Sequence, residues 1–114
     1  MIPVYALLPH QLAKLCGDSG ARLIHISTDG VFSGSKGGYV ENDPADAQDV
    51  YGITKFMGEV QYPHSISIRT SIIGHELQGG GGLVSWFLSQ QKSCECYSRA
   101  IFSGFPTVVL AQII

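Results

Sequence analysis

Two short apolar runs bracket a stretch of chain long enough to join parallel strands. The first, Ala21-Arg22-Leu23-Ile24-His25-Ile26, is too short for an ordinary helix and rich in Ile and Leu, so it reads as a buried strand. The second, Ser65-Ile66-Ser67-Ile68-Arg69-Thr70-Ser71-Ile72-Ile73, alternates polar and apolar residues with the period of a strand and stops at Gly74. Between them come a loop with Gly34, Gly37, Gly38 and Asn42-Asp43-Pro44, all turn chemistry, and then a helical pattern. Parallel strands need a crossover of this kind, usually helical and right-handed. The predicted class is α/β: a βαβ core in a parallel sheet with flanking helices.

The crossover helix is predicted to start after an Asp49 cap. Ile53, Phe56, Met57 and Val60 recur at helical spacing and form a stripe expected to face the sheet. Tyr51, Lys55 and Glu59 fall on a different face, which leaves Tyr51 and Lys55 free to look into a cleft. A lysine ammonium beside a phenol favours the phenolate and eases proton exchange with a substrate oxygen. The Tyr-x-x-x-Lys spacing occurs by chance on many surface helices. Here it follows Ser27 and Thr28 at a strand's carboxyl end, where open α/β sheets hold their ligands. An earlier helix is predicted with Leu7, Leu8, Leu12 and Leu15 as its apolar side and Gly17 near its end.

Ser27-Thr28-Asp29-Gly30-Val31-Phe32, Gly34, Gly38-Tyr39, Glu41, Asp43, Tyr51-Gly52-x-Thr54-Lys55-x-x-Gly58-Glu59 and Ile68-Arg69-Thr70 together resemble the extended short-chain dehydrogenases/reductases. Within them the similarity is to the sugar-nucleotide reductase/epimerase group that includes the dTDP-4-dehydrorhamnose reductases. Gly104-Phe105-Pro106-Thr107 with Leu110-Ala111 is similar to a segment of the same branch. The resemblance runs over about residues 7 to 111. It implies a partial Rossmann-like, incomplete doubly wound fold, NADP or NAD as cofactor and a nucleotide-linked 4-keto sugar as substrate. It implies Tyr51 as acid/base, Lys55 as the group that tunes it and binds the nicotinamide ribose, and Thr28 on the reacting oxygen. Tyr51, Lys55 and Ser27 would contact cofactor.

One departure limits that reading. No glycine-rich turn of the G-x-G-x-x-G type follows an apolar strand, so the usual pyrophosphate cradle is not encoded here. Gly79-Gly80-Gly81-Gly82 comes after the second strand and reads as a flexible turn. Residues 1–114 are expected to form a single partial domain, the central part of such an enzyme. An oxidoreductase is one reading, with epimerase or dehydratase as variants sharing the first hydride step. A non-catalytic remnant or self-associating scaffold is the other.

Hydrophobic residues make up 45% of the chain and charged ones 14%, which suits a piece of a larger core and favours homo-oligomer formation. With a formal net charge of −2 and no basic cluster, the chain has no electrostatic footprint for nucleic acid or anionic membrane. The apolar stretches are short of a membrane span and no secretory leader pattern opens the chain, so the expected location is cytoplasmic. Cys16, Cys94 and Cys96 are expected to be free thiols. Cys94-x-Cys96 could clip a metal, although no second pair at ligand spacing accompanies it. His25 reads as a satisfied core or cleft-edge histidine, Arg69 as a structural charge at a strand end, and Trp86 as a core or interface anchor.

Overall fold

The computed structural model describes residues 1–114. The chain divides into two compact units, Met1–Thr70 and Ser71–Ile114. In the first, a π-helical turn, Pro3–Leu7, runs into helix α1, Leu8–Asp18, which leads to strand β1, Leu23–Ile26. A 3-10 turn, Asp29–Val31, and a long loop follow, then helix α2, Val50–Met57, and strand β2, Ser65–Ile68. The strands β1 and β2 pair in parallel, with Ile24 opposite Ile66 and Ile26 opposite Ile68. This is the βαβ order expected from the two apolar runs.

The second predicted strand is shorter than its alternation suggests. The ladder is extended by one bond from Ser27 N–H to the Ile68 carbonyl, 2.8 Å. Beyond it β1 has turned away into the Ser27-Thr28 loop, so the β1–β2 ladder ends at Ile68. Alternation continues to Ile73, but Ile72–Ile73 form a separate strand, β3, in the second unit.

Which residues are buried also departs from the expected stripes. On α2 the buried positions are Gly52 and Thr54, with Gly58 and Val60 just beyond, while Ile53, Phe56 and Met57 are exposed. In the amino-terminal helical segment Ala6, Pro9 and Ala13 are buried, and Leu7, Leu8, Leu12 and Leu15 are exposed. Close backbone approach explains the inversion, because it admits only small residues. A Cβ on Gly58 would overlap the Tyr5 carbonyl oxygen and lie 3.2 Å from Pro9 Cγ. A Cβ on Gly17 would sit 2.8 Å from the His64 ring. Two histidines fasten the same contact. His10 Nε2 donates to the Met57 carbonyl at 2.8 Å, and His64 Nε2 donates to the Ala13 carbonyl at 2.6 Å.

Strand alternation puts Leu23, His25, Ser65 and Ser67 on one sheet face and the isoleucines on the other. The serine side meets the segment after α2: Ser67 Oγ accepts from Val60 N–H and donates to the Val60 carbonyl. The isoleucine side is open, with Ile24 at 43% and Ile66 at 57% exposure.

In the second unit, β3 pairs in parallel with β4, Phe105–Pro106, which feeds helix α4, Thr107–Ile113. Thr107 Oγ1 donates to the Ile73 carbonyl, and Leu110 is the buried residue of α4. Helix α3, Leu83–Ser89, buries none of its residues, so Trp86 is not a core anchor. Gly79 lies in the turn ahead of it at φ 96°.

The Gly58 contact generates a test. Gly58→Ala is expected to cost about 1–3 kcal/mol, because the Tyr5 backbone has little room to yield. Gly80→Ala, where an added Cβ meets open space, is expected to stay within about 0.5 kcal/mol. Urea midpoints of the two variants check the contrast.

Candidate active site

The amino end of α2 is fixed by Asp49, whose Oδ1 accepts from Gly52 N–H at 2.8 Å. Thr54 stays buried because its hydroxyl reaches back to the carbonyls of Val50 and Tyr51, at 2.7 and 3.1 Å. Gly52 presses against the Gly30 carbonyl and Ala47, with no room for a Cβ. That contact sets the first turn of α2 on the 3-10 turn after β1, and Tyr51 arrives beside Gly30 as a result. A Cβ built on Gly30 would lie 3.3 Å from Thr28 Oγ1 and 3.7 Å from Tyr51 Cε1. Thr28 and Tyr51 therefore share one mouth at the carboxyl end of β1. Lys55, one turn further along α2, donates from Nζ to the Ile26 carbonyl at 2.9 Å.

Each of these groups has other engagements. Tyr51 is 46% exposed, and its ring meets Tyr5 edge to face at 5.8 Å. The Lys55 ammonium lies 5.6 Å from the centre of the Tyr5 ring. Burial pushes the Lys55 ammonium below its ordinary value, and the Glu59 carboxylate opposes that. Thr28 is buried; its Oγ1 caps the 3-10 turn by accepting from Gly30 N–H at 3.0 Å and donates to Asp29 Oδ1 at 3.4 Å. Ser27 is also buried, and its hydroxyl donates to Glu59 Oε1 at 2.8 Å.

Glu59 does more than line a face. Besides the Ser27 hydroxyl it accepts both Nε–H and a terminal N–H of Arg69, each at 2.8 Å, in a two-pronged ion pair with Glu59 almost fully buried. Arg69 in turn donates to the Glu41 carbonyl at 3.3 Å and lies against the rings of Phe32 and Phe56, at 5.0 and 5.8 Å. The charge-assisted bonds to Glu59 hold the Arg69 guanidinium above its ordinary value. A cleft of about 640 Å³ runs past Glu59, Arg69, Tyr62 and Ile66 along β2; Tyr51, Lys55 and Thr28 do not line it.

Sequence reasoning missed Tyr5, whose ring lies near both the Tyr51 ring and the Lys55 ammonium. It sits in no motif, and only the π-helical turn carries it there. The Glu59–Arg69 pair was visible as two charges, but their ten-residue separation across α2 and β2 gives no local periodicity to read. His25 is not satisfied as expected: its Nε2 is buried without a hydrogen-bond partner.

Comparison with known proteins then adds a family. A family model described as the RmlD substrate binding domain matches residues 3–98. The chain is similar to dTDP-4-dehydrorhamnose reductase of Mycobacterium tuberculosis (strain ATCC 25618 / H37Rv), 40% identical over 77 residues that cover 60% of this chain and 25% of the relative. It is 43% identical over 76 residues to the spore coat polysaccharide biosynthesis protein SpsK of Bacillus subtilis (strain 168), again 60% of this chain and 25% of the relative. Over 52 residues it is 48% identical to dTDP-4-dehydrorhamnose reductase of Streptomyces griseus, with 45% and 17% covered. The chain thus spans about a quarter of the length of the first curated relatives it matches. No solved structure matches.

The half-buried His25 imidazole sets a pH dependence. Burial first, and the Lys55 charge second, hold His25 below the usual imidazole value of about 6.5. Between that usual value and the lowered one, the unfolded chain binds a proton that the folded chain does not. Stability contributed by neutral His25 is present above about pH 6.5 and is lost as the pH falls through it. Asp43 and Asp46 are held below the ordinary carboxylate value, by the Lys36 ammonium and the Ser33 N–H respectively, so their effects come at lower pH. Urea unfolding at pH 7 and pH 5 is expected to show weaker stability at pH 5, with a smaller difference in His25→Gln.

Proposed function

This chain belongs to the RmlD substrate binding domain family, and on that premise we propose that it carries the proton-transfer segment of a sugar-nucleotide reductase. The substrate class is a nucleotide-linked 4-keto sugar. The observation that carries the reading is the shared mouth of Thr28 and Tyr51 beside Gly30, with Lys55 held one turn away on the Ile26 carbonyl.

Those positions support the following roles. Tyr51 has an open ring edge and a phenol that gives a proton to the carbonyl oxygen as that oxygen gains charge. Lys55 has three donors and spends one on Ile26; the others are available to a ribose hydroxyl. Thr28 orients the reacting oxygen once its hydroxyl turns from Asp29, while its oxygen keeps capping the Gly30 N–H. Ser27, held by Glu59, sets the position of the strand end beneath the ribose rather than reaching outward.

The fit to a nicotinamide dinucleotide is partial. The polar groups of Tyr51 and Lys55 suit its ribose end. At the amino end of α2 the Asp49 carboxylate caps the helix and would repel a pyrophosphate placed there. When bound, the nicotinamide supplies the hydride; the chain supplies the proton and the geometry. NADP and NAD both satisfy the groups present, and an epimerase or dehydratase would begin with the reverse movement, proton and hydride leaving a sugar hydroxyl carbon.

A second reading, a self-associating scaffold of the same family, is favoured by the open isoleucine face at Ile24 and Ile66. Titration with NADPH and NADH followed by nicotinamide fluorescence separates the two. The reductase reading expects saturable binding and consumption of the nicotinamide with a 4-keto nucleotide sugar, falling at least about a hundredfold in Tyr51→Phe. Absence of binding at millimolar cofactor, together with a concentration-dependent oligomer in light scattering, would overturn it in favour of the scaffold.

A further inference from the structure

Helix α3 ends at Ser89, and the chain then runs without regular structure to Phe105. In that loop Cys94 Sγ and Cys96 Sγ stand 3.7 Å apart, both as free thiols, with Cys94 half-buried and Cys96 exposed. The separation is informative. It is far longer than the disulfide bond of about 2.05 Å. It is shorter than the span of about 4.6 Å that two thiolates would need on opposite sides of a linearly bound cation at about 2.3 Å each. Two metal–sulfur bonds of about 2.3 Å closing 3.7 Å meet at about 107°, close to the tetrahedral angle of zinc-class cations.

We propose that Cys94 and Cys96 form a two-thiolate chelate for a thiophilic divalent cation of the zinc class. No group of three or more His, Cys, Asp or Glu gathers to add a third donor, so two positions of the tetrahedron fall to water or to small exogenous ligands. A cleft of about 270 Å³ lined by Cys94, Phe87, Leu88 and Lys92 leaves space for them. Binding forms two metal–sulfur bonds and releases two thiol protons, with no change of oxidation state. Soft thiolates select zinc and cadmium over magnesium and calcium.

Cadmium chloride is the probe, added to the full chain while the thiolate-to-cadmium charge-transfer absorbance is followed. The expected result is a band that saturates at one cadmium per chain, is competed by zinc chloride and is insensitive to magnesium chloride. Cys94→Ser and Cys96→Ser are each expected to weaken binding at least about tenfold, whereas Cys16→Ser leaves it unchanged. Both loop substitutions lie outside helices and strands, so circular dichroism matching the unsubstituted chain is expected alongside. A missing band, a band indifferent to both loop substitutions, or saturation at one cadmium per two chains would each overturn the proposal.

Discussion

The Glu59 carboxylate, just past the end of α2, accepts from Ser27 at the end of β1 and from two nitrogens of Arg69 at the end of β2. Three elements of the βαβ unit converge on one buried anion. A carboxylate taken out of water is costly unless its oxygens are filled, and here an arginine fork and a hydroxyl fill them. The rings of Phe32 and Phe56 lie against the guanidinium, at 5.0 and 5.8 Å. Because Lys55 lies one helical turn before Glu59 and Tyr51 one turn before that, the same anchor fixes where both side chains emerge relative to β1. The geometry of the candidate site is downstream of this ion pair.

The second determinant is close backbone contact. Gly52 against Gly30 and Gly58 against Tyr5 bring α2 nearer to its neighbours than any larger residue would permit. Small residues take the buried face, and the large apolar residues are turned outward. This accounts for an uncommon surface: isoleucines, leucines and Phe56 exposed over alanines, glycines and threonines that are buried. Parallel sheets ordinarily carry cover on both faces, and the open side at Ile24 and Ile66 departs from that rule.

Much of the first unit was legible in the sequence, for identifiable reasons. β1 announced itself through a short Ile/Leu run, α2 through the Asp49 cap and a 3.6-residue repeat, and their parallel pairing through the length of the crossover. The Tyr51–Lys55 spacing was readable because residues four apart on a helix share a face regardless of context. Hydrophobicity alone misassigned the buried sides of α1 and α2, since periodicity reports which residues share a face and not which face meets the neighbour. The end of β2 at Ile68 depended on where β1 stops, a tertiary fact. Tyr5 and the unpartnered His25 nitrogen likewise exist only once the chain is folded. The Asp49 cap at the amino end of α2 was legible, and the structure shows its carboxylate accepting from Gly52 N–H.

A double-mutant cycle on Glu59→Gln and Arg69→Met, read by urea unfolding, tests the dependence of the βαβ unit on its buried anchor most directly. Each single change is expected to cost about 2 kcal/mol or more, and the pair to show a coupling energy of about 1.5–3 kcal/mol. Coupling within about 0.5 kcal/mol of zero would contradict the account, because the two charges would then be acting independently of one another.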